Sequence, residues 1–331
     1  MNQMNQMLKM PVGDRSAWKA RDIRGRTDWR HDLTGRELDE LESALDAVNA
    51  KKLAAEDITR ADFPLPTLQK RLERILDQVR DGFGFCFVHG VPGEKYSEED
   101  AAKLFWGIGT HLGTAKSQNS HGHLVGHVVD MGGRLGQDRV RGYQTNQTLK
   151  FHTDRADISA LYCHRTALEG GTTMVASSTA IHNEILATRP EFLPHLYYGY
   201  PFMHMEEGGH EEPRRIPVYS VAENYLSCTI QSDPVEKAIK EQVLPVSDEA
   251  KEALAYFHAL ACNPDFHLEF DLKQGEILIN NNFTMLHSRT AFVDDPDPAR
   301  RRHLFRLWLA FDNPRPTVIN FANYGGIKKE L

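Results

Sequence analysis

Leu149-Lys150-Phe151-His152-Thr153-Asp154 is the stretch on which the reading of this chain rests. In an extended strand, residues two apart project to the same face, so His152 and Asp154 share one side while Phe151 and Thr153 take the other. An imidazole beside a carboxylate makes two thirds of the 2-His-1-carboxylate facial triad, which grips a non-heme Fe(II) and leaves coordination positions open. A chain with 16 histidines is expected to hold about one His-x-Asp by chance. The rest of the sequence must therefore supply a third ligand and a reason for the site.

Working outward, strands are expected over 158–163 and 172–177, joined through the turn at Glu169-Gly170-Gly171. Further strands are expected at 83–88, 266–272, 276–281 and 303–311. Helices occupy the gaps. Thr34-Gly-Arg-Glu37 reads as a capping box opening a helix through Leu38, Leu41, Leu45 and Val48. Thr67 opens a second, Ser97 a third, a residue at or near Thr179 a fourth, and Ser247 a fifth. The stretch 195–218, which contains Arg214 and Arg215, has no clear period and suits a lid over a site. Gly82-Phe-Gly84 leads into a strand and lacks the third glycine of a dinucleotide loop, which excludes that reading.

The bulk numbers narrow the class. With 331 residues, 40% hydrophobic and 26% charged, the chain suits a soluble globular protein able to bury a large core. A net charge of −7 speaks against a nucleic-acid partner. Cys86, Cys163, Cys228 and Cys262 form no CxxC pair, so structural zinc and a disulfide framework are not expected, and reduced thiols in a cytoplasm are. The first residues carry no apolar core suited to a signal peptide or membrane span. Residues 1–15 are expected to form a disordered tail and 16–331 one domain; a homo-oligomer is left open.

A third ligand is offered by His287, where a buried strand runs into the polar turn Asn280-Asn281-Asn282 and on to the histidine. Downstream lies Arg300-Arg-Arg-His-Leu-Phe-Arg306. In a strand, Arg302, Leu304, Arg306 and Trp308 share one face and His303, Phe305, Leu307 and Leu309 the other. Two arginines on an otherwise apolar strand are costly to bury unless an anion pairs with them. That anion is either one of the protein's own carboxylates or a carboxylate ligand held by a bidentate clamp.

Four motifs in order carry a family resemblance: Phe151-His-Thr-Asp154, Gly170-Gly-Thr-Thr-Met-Val-Ala-Ser-Ser178, Asn281-Asn-Phe-Thr-Met-Leu-His287-Ser-Arg-Thr-Ala-Phe292, and Arg301-Arg-His-Leu-Phe-Arg306-Leu-Trp-Leu309. With them the sequence resembles the TauD/TfdA-like (taurine dioxygenase-like) Fe(II)- and 2-oxoglutarate-dependent oxygenases of the clavaminate-synthase-like group, from about residue 18 to about 313. The resemblance implies a mostly-β fold with flanking helices, the double-stranded β-helix or jelly roll. It implies His152, Asp154 and His287 as iron ligands. It also implies Arg302 and Thr173 as the pair holding the distal carboxylate of 2-oxoglutarate, and Arg306 as a contact for that cosubstrate or for an anionic substrate group.

Three protein ligands leave room for 2-oxoglutarate and O2 at the metal. By resemblance the reaction releases succinate and carbon dioxide and oxidises a C–H bond of a small, anionic metabolite. Related halogenases lack the carboxylate ligand, so an intact Asp154 points to hydroxylation or a kindred oxidation. Arg155, beside the metal motif, either faces such a substrate or forms a surface ion pair.

Rival readings are a cupin-type metalloprotein built on His121, His123, His127 and Asp130, and a non-catalytic jelly roll that binds a carboxylate. A zinc hydrolase is a third, but no HExxH is present.

Overall fold

Alternation along three strands sorts their side chains into two separate layers. In Ile277–Asn281, Ile277 and Ile279 turn to one face and Leu278 to the other. In Phe85–His89, Cys86 and Val88 follow the first pattern and Phe85 and Phe87 the second. In His303–Ala310, Phe305, Leu307 and Leu309 oppose Leu304 in the same way. The first set packs under the helices Gly35–Ala50, Leu68–Asp81 and Glu98–Thr110. The second set faces a second sheet. A computed structural model describes residues 7–137, 140–202, 214–318 and 327.

The larger sheet has seven strands. Six run in the order Arg30–Asp32, Phe85–His89, Ile277–Asn281, Ile158–Arg165, His303–Ala310, Thr114–Ala115, and Val125–Val128 pairs with His303–Ala310 as well. Its first pair is parallel and the others are antiparallel. The smaller sheet is antiparallel throughout, in the order His267–Phe270, Thr173–Ser177, Met285–Arg289, Leu149–His152.

Between the sheets, Phe85, Phe87, Leu278 and Leu304 of the larger meet Val175, Leu268 and Met285 of the smaller in one cluster. The outer face of the smaller sheet, with Phe151, Ala176 and Leu286, is covered by the helices Ser178–Thr188, Leu193–Tyr198, Ser232–Lys240 and Asp248–Cys262. Helices thus flank two facing sheets. This is the double-stranded β-helix expected from the sequence.

Most helix starts behave as their caps dictate. Thr34 Oγ1 accepts from the Glu37 N–H while Glu37 Oε2 accepts from the Thr34 N–H at 2.8 Å. Ser97 and Ser247 each accept from the N–H three residues on. The other two helices also start where expected, but with other capping groups. Ser177, not Thr179, caps the helix Ser178–Thr188 through the Ala180 N–H. Thr67 makes no side-chain cap; Glu40, from the neighbouring helix, accepts the Thr67 and Leu68 N–H groups instead.

Within the stretch expected to be a tail, Leu8 N–H donates to the Tyr197 hydroxyl, and Val12 exchanges two hydrogen bonds with the Asn183 amide. Of the irregular stretch 195–218, residues 203–213 lie outside the described residues. On either side of them, Tyr200–Phe202 and Arg214–Ile216 form an antiparallel ribbon. No described helix is long and apolar enough to cross a membrane.

Thr34→Ala removes one half of the reciprocal cap on the helix Gly35–Ala50. It is expected to cost about 1 kcal/mol of stability, read as a lower urea midpoint at unchanged slope.

Candidate metal centre

His152 closes the strand Leu149–His152 and stands directly opposite His287 in the antiparallel register. Cross-strand partners share a face, and the two rings lie 4.3 Å apart between centroids. Asp154 lies beyond the strand, so strand alternation alone does not aim it. Asn282 does: its Oδ1 accepts the Asp154 N–H at 3.0 Å, and its Nδ2 donates to the Ala156 carbonyl at 2.9 Å. The Asn282 N–H in turn donates to the Asp157 carbonyl at 2.9 Å. Asn281 holds the same turn, donating to the Val79 carbonyl and accepting the Phe283 N–H. One buried Asn-Asn turn therefore both leads into His287 and seats Asp154.

The donor atoms are sorted by their other bonds. His152 Nδ1 donates to the Lys150 carbonyl at 2.7 Å, which leaves Nε2 as the lone-pair nitrogen. Asp154 Oδ1 accepts from Arg306 Nη1 at 3.3 Å, and Oδ2 has no hydrogen-bond partner among the described residues. His287 Nε2 lies 3.5 Å from that Oδ2. One donor atom from each of the three residues falls within 4.8 Å of the others. Burial pushes the Asp154 carboxyl up, but the Arg306 guanidinium and the neighbouring imidazoles outweigh it and hold the group at about 2. Burial, reinforced by His152, drives the His287 imidazole down to about 3. An ionised carboxylate beside a neutral imidazole is the protonation state that metal ligation requires.

Arg306 is buried and held from several sides. Its Nε donates to Gln118 Oε1 at 2.7 Å, and its guanidinium lies 4.7 Å from the Trp308 ring and 5.0 Å from the Tyr143 ring. Gln118 is fixed in turn by donating to the Leu124 and Arg306 carbonyls. Of the two alternatives for a buried arginine, Arg306 takes the protein's own carboxylate. Arg302 does not. No described carboxylate pairs with its side chain, its Nη1 is buried with no partner among the described residues, and its guanidinium lies 4.9 Å from the Phe292 ring. Burial lowers the Arg302 guanidinium to about 10. Thr173 is buried on the strand beside His287, two residues from the Val175 that faces the histidine.

A cavity opens over His152 and Asp154, walled by Tyr143, Trp308 and Arg306, with Arg141, Lys150 and Arg155 also lining it. Arg302 borders a separate cavity with Gly171, Thr172 and Asp271. Arg214 and Arg215 line neither of these; Arg215 donates to the carbonyls of Gly199 and Pro245. Arg155, whose direction the sequence left open, lies at the cavity.

The cupin-like grouping of His121, His123, His127 and Asp130 does not assemble. His121 and His123 lie beside each other, and Asp130 accepts the Gly132 N–H. His127 gathers instead with Glu98 and His303. There His127 Nδ1 lies 3.0 Å from His303 Nε2, while Arg165 Nη2 reaches both His303 Nδ1 at 3.2 Å and Glu98 at 3.4 Å. Arg165, itself a cation, already answers Glu98 and His303 there. Asn282 and Gln118 are the site residues that sequence reasoning passed over as positioning groups. Three consecutive asparagines ending a strand of Ile and Leu were the nearest signal for Asn282.

The profile of the taurine catabolism dioxygenase TauD, TfdA family matches residues 49–308. FR-33289 synthase of Streptomyces rubellomurinus is 33% identical over 334 aligned positions, covering 97% of both chains. Among solved structures, an asparagine oxygenase in complex with Fe(II), 2S,3S-3-hydroxyasparagine and succinate superposes with a TM-score of 0.67 at 17% identity, over 85% of this chain and 93% of its own. The non-heme iron oxygenase OrfP in complex with Fe and α-ketoglutaric acid gives 0.62 at 15%, over 86% and 94%. At these identities the structural matches establish the fold.

Asn282→Ala frees the backbone at Asp154 while leaving all three candidate ligands in place. Metal affinity, titrated with Co(II) or anaerobic Fe(II), is expected to fall about 10- to 100-fold, the usual scale for losing a group that orients a ligand. Unchanged affinity in the folded variant means that Asp154 is seated by other contacts.

Proposed function

The chain belongs to the taurine catabolism dioxygenase TauD, TfdA family, and from that premise we propose that it oxidises a C–H bond of a small anionic metabolite with Fe(II), O2 and 2-oxoglutarate. The observation that carries this reading is the donor set. His152 Nε2, His287 Nε2 and Asp154 Oδ2 converge, and Oδ2 is buried with no hydrogen-bond partner among the described residues. A buried carboxylate oxygen without a donor is costly unless a cation meets it. The two imidazoles and the carboxylate therefore fit a facially bound ferrous ion. When bound, that ion supplies the oxidative decarboxylation of 2-oxoglutarate to succinate and carbon dioxide, coupled to oxidation of the substrate.

The chain's own residues do the rest. Lys150 holds the His152 tautomer through its carbonyl, and Asn282 fixes the Asp154 backbone. Arg306 keeps Asp154 ionised and leaves its Oδ2 turned to the histidine side. In this role Arg306 orients a ligand, whereas the buried Arg302, which no described carboxylate pairs, suits with Thr173 the distal carboxylate of 2-oxoglutarate. Tyr143 and Trp308 flank the Arg306 guanidinium with apolar surface that keeps water from it.

The substrate pocket carries Arg141, Lys150, Arg155 and Arg306 against Asp154 and Asp233, on a protein whose net charge is −7. A cationic wall on an acidic protein favours an anionic substrate. Arg141 and Arg155 stand on that wall beside Arg306 and Lys150.

Anaerobic addition of Fe(II) and 2-oxoglutarate is expected to give a weak visible charge-transfer band. Air plus a substrate drawn from small carboxylates, amino acids and sulfonates is expected to release succinate. Absence of both signals favours a non-catalytic carboxylate binder. His152→Ala and His287→Ala should each abolish iron-dependent succinate release, and wild-type turnover in either strikes that residue from the ligand set. Arg302→Ala should raise the half-saturating 2-oxoglutarate concentration about 10- to 100-fold, the weight of a charge-assisted contact. If that concentration does not move, the role passes to Arg306.

A further inference from the structure

Arg289 belongs to none of the roles described so far, yet it is buried between the sheets. Its strand pairs with Thr173–Ser177 without a register break, setting His287 opposite Val175 and Arg289 opposite Thr173. Val175 and Met285 lie in the apolar layer between the sheets. Alternation therefore turns His287, Arg289 and Thr173 into that same interior. Arg302 reaches the same place from the opposite sheet. Its Nε comes so close to Gly171 that a Cβ there would lie 3.1 Å away, and Gly171 adopts a φ of +76° that a side chain would disfavour.

The two guanidiniums meet at one ring. The Arg289 carbon lies 4.7 Å and the Arg302 carbon 4.9 Å from the centroid of Phe292. Arg289 Nη2 donates to the Thr145 and Gln147 carbonyls at 2.8 and 2.5 Å. Its Nε and Nη1, like Arg302 Nη1, are buried and have no partner among the described residues. No described carboxylate lies within ion-pair distance of either side chain. Two buried cations gathered around one ring, with three N–H donors that no described residue answers, favour an anion.

We propose that Arg289 is a second cationic contact for the distal carboxylate of 2-oxoglutarate, acting with Arg302 and Thr173, an assignment that rests on the function proposed above. The competing role for Arg289 is mechanical: its Nη2 staples the loop at Thr145–Gln147 and does nothing else. The two roles part over which keto acid the residue distinguishes. A contact to the distal carboxylate discriminates 2-oxoglutarate from 2-oxopentanoate, which has the same carbon chain without that carboxylate. A loop staple does not.

The test measures anaerobic binding of both keto acids to the full-length Fe(II) protein, by the visible band and by shift in melting temperature. The proteins compared are wild type, Arg289→Lys and Arg289→Gln. The preference for 2-oxoglutarate over 2-oxopentanoate is expected to fall about 10- to 100-fold in Arg289→Gln, with a smaller loss in Arg289→Lys, which keeps the charge but not the fork. Binding of 2-oxopentanoate itself should change little. An unchanged preference overturns the proposal, whether or not the variants melt earlier, and so does an equal loss for both acids. Arg289→Lys alone decides the matter if Arg289→Gln does not fold. Wild type that binds neither acid removes the function proposed above together with this assignment, whereas wild type that binds 2-oxoglutarate beside variants of unchanged preference removes this assignment alone.

Discussion

The pairing of His287 with His152 across two antiparallel strands is the constraint from which the centre follows. Side chains alternate with a period of two, so a slip of one residue would turn either imidazole out of the interior and into the helical layer. The register is fixed by the two residues that precede His287. Leu286 is committed to the helices on the outer face and Met285 to the layer between the sheets. Their burial makes any other alignment expensive, and the apolar neighbours of His287 thereby decide where it points.

The space between the sheets is divided by chemistry. One part is filled by Phe85, Phe87, Leu278 and Met285 and is ordinary core. Another holds Asp154, His287, Arg289, Arg302 and Arg306, all buried. Removing such groups from water costs several kcal/mol each unless partners answer them. Arg306, Asp154 and Gln118 answer one another. The Asp154 Oδ2, two N–H donors of Arg289 and one of Arg302 have no partner among the described residues. This molecule spends stability in that part of its interior and recovers it from the apolar part and from two helical layers.

Much of the architecture was readable because its signals are local. Thr34 with Glu37, Ser97 and Ser247 announce helices through hydrogen bonds spanning three residues, and those helices form. Strands such as Ile158–Arg165 and His303–Ala310 announce themselves as short, largely apolar runs. Met285–Arg289 did not, because three of its five residues are polar and their burial has no signature in a short window. Glu40 could not be seen as the cap of the helix Leu68–Asp81, since it stands 28 residues from the N–H group it accepts. The same distance problem hid the partner of Arg306, which lies 152 residues away.

By its own order of residues the chain determined which elements form, which faces are apolar, and that imidazoles, a carboxylate and arginines recur at spacings suited to a metal and an anion. These properties depend on neighbours within a few positions, where backbone geometry fixes the outcome. Only the tertiary structure decided that Asn282 aims Asp154, that Arg306 is taken by that carboxylate while Arg302 is not, and that Arg289 shares the interior with both. Each of these is a question of which groups remain unpaired once two sheets close on each other. Pairing in a desolvated interior depends on distances in space that separation along the chain does not encode.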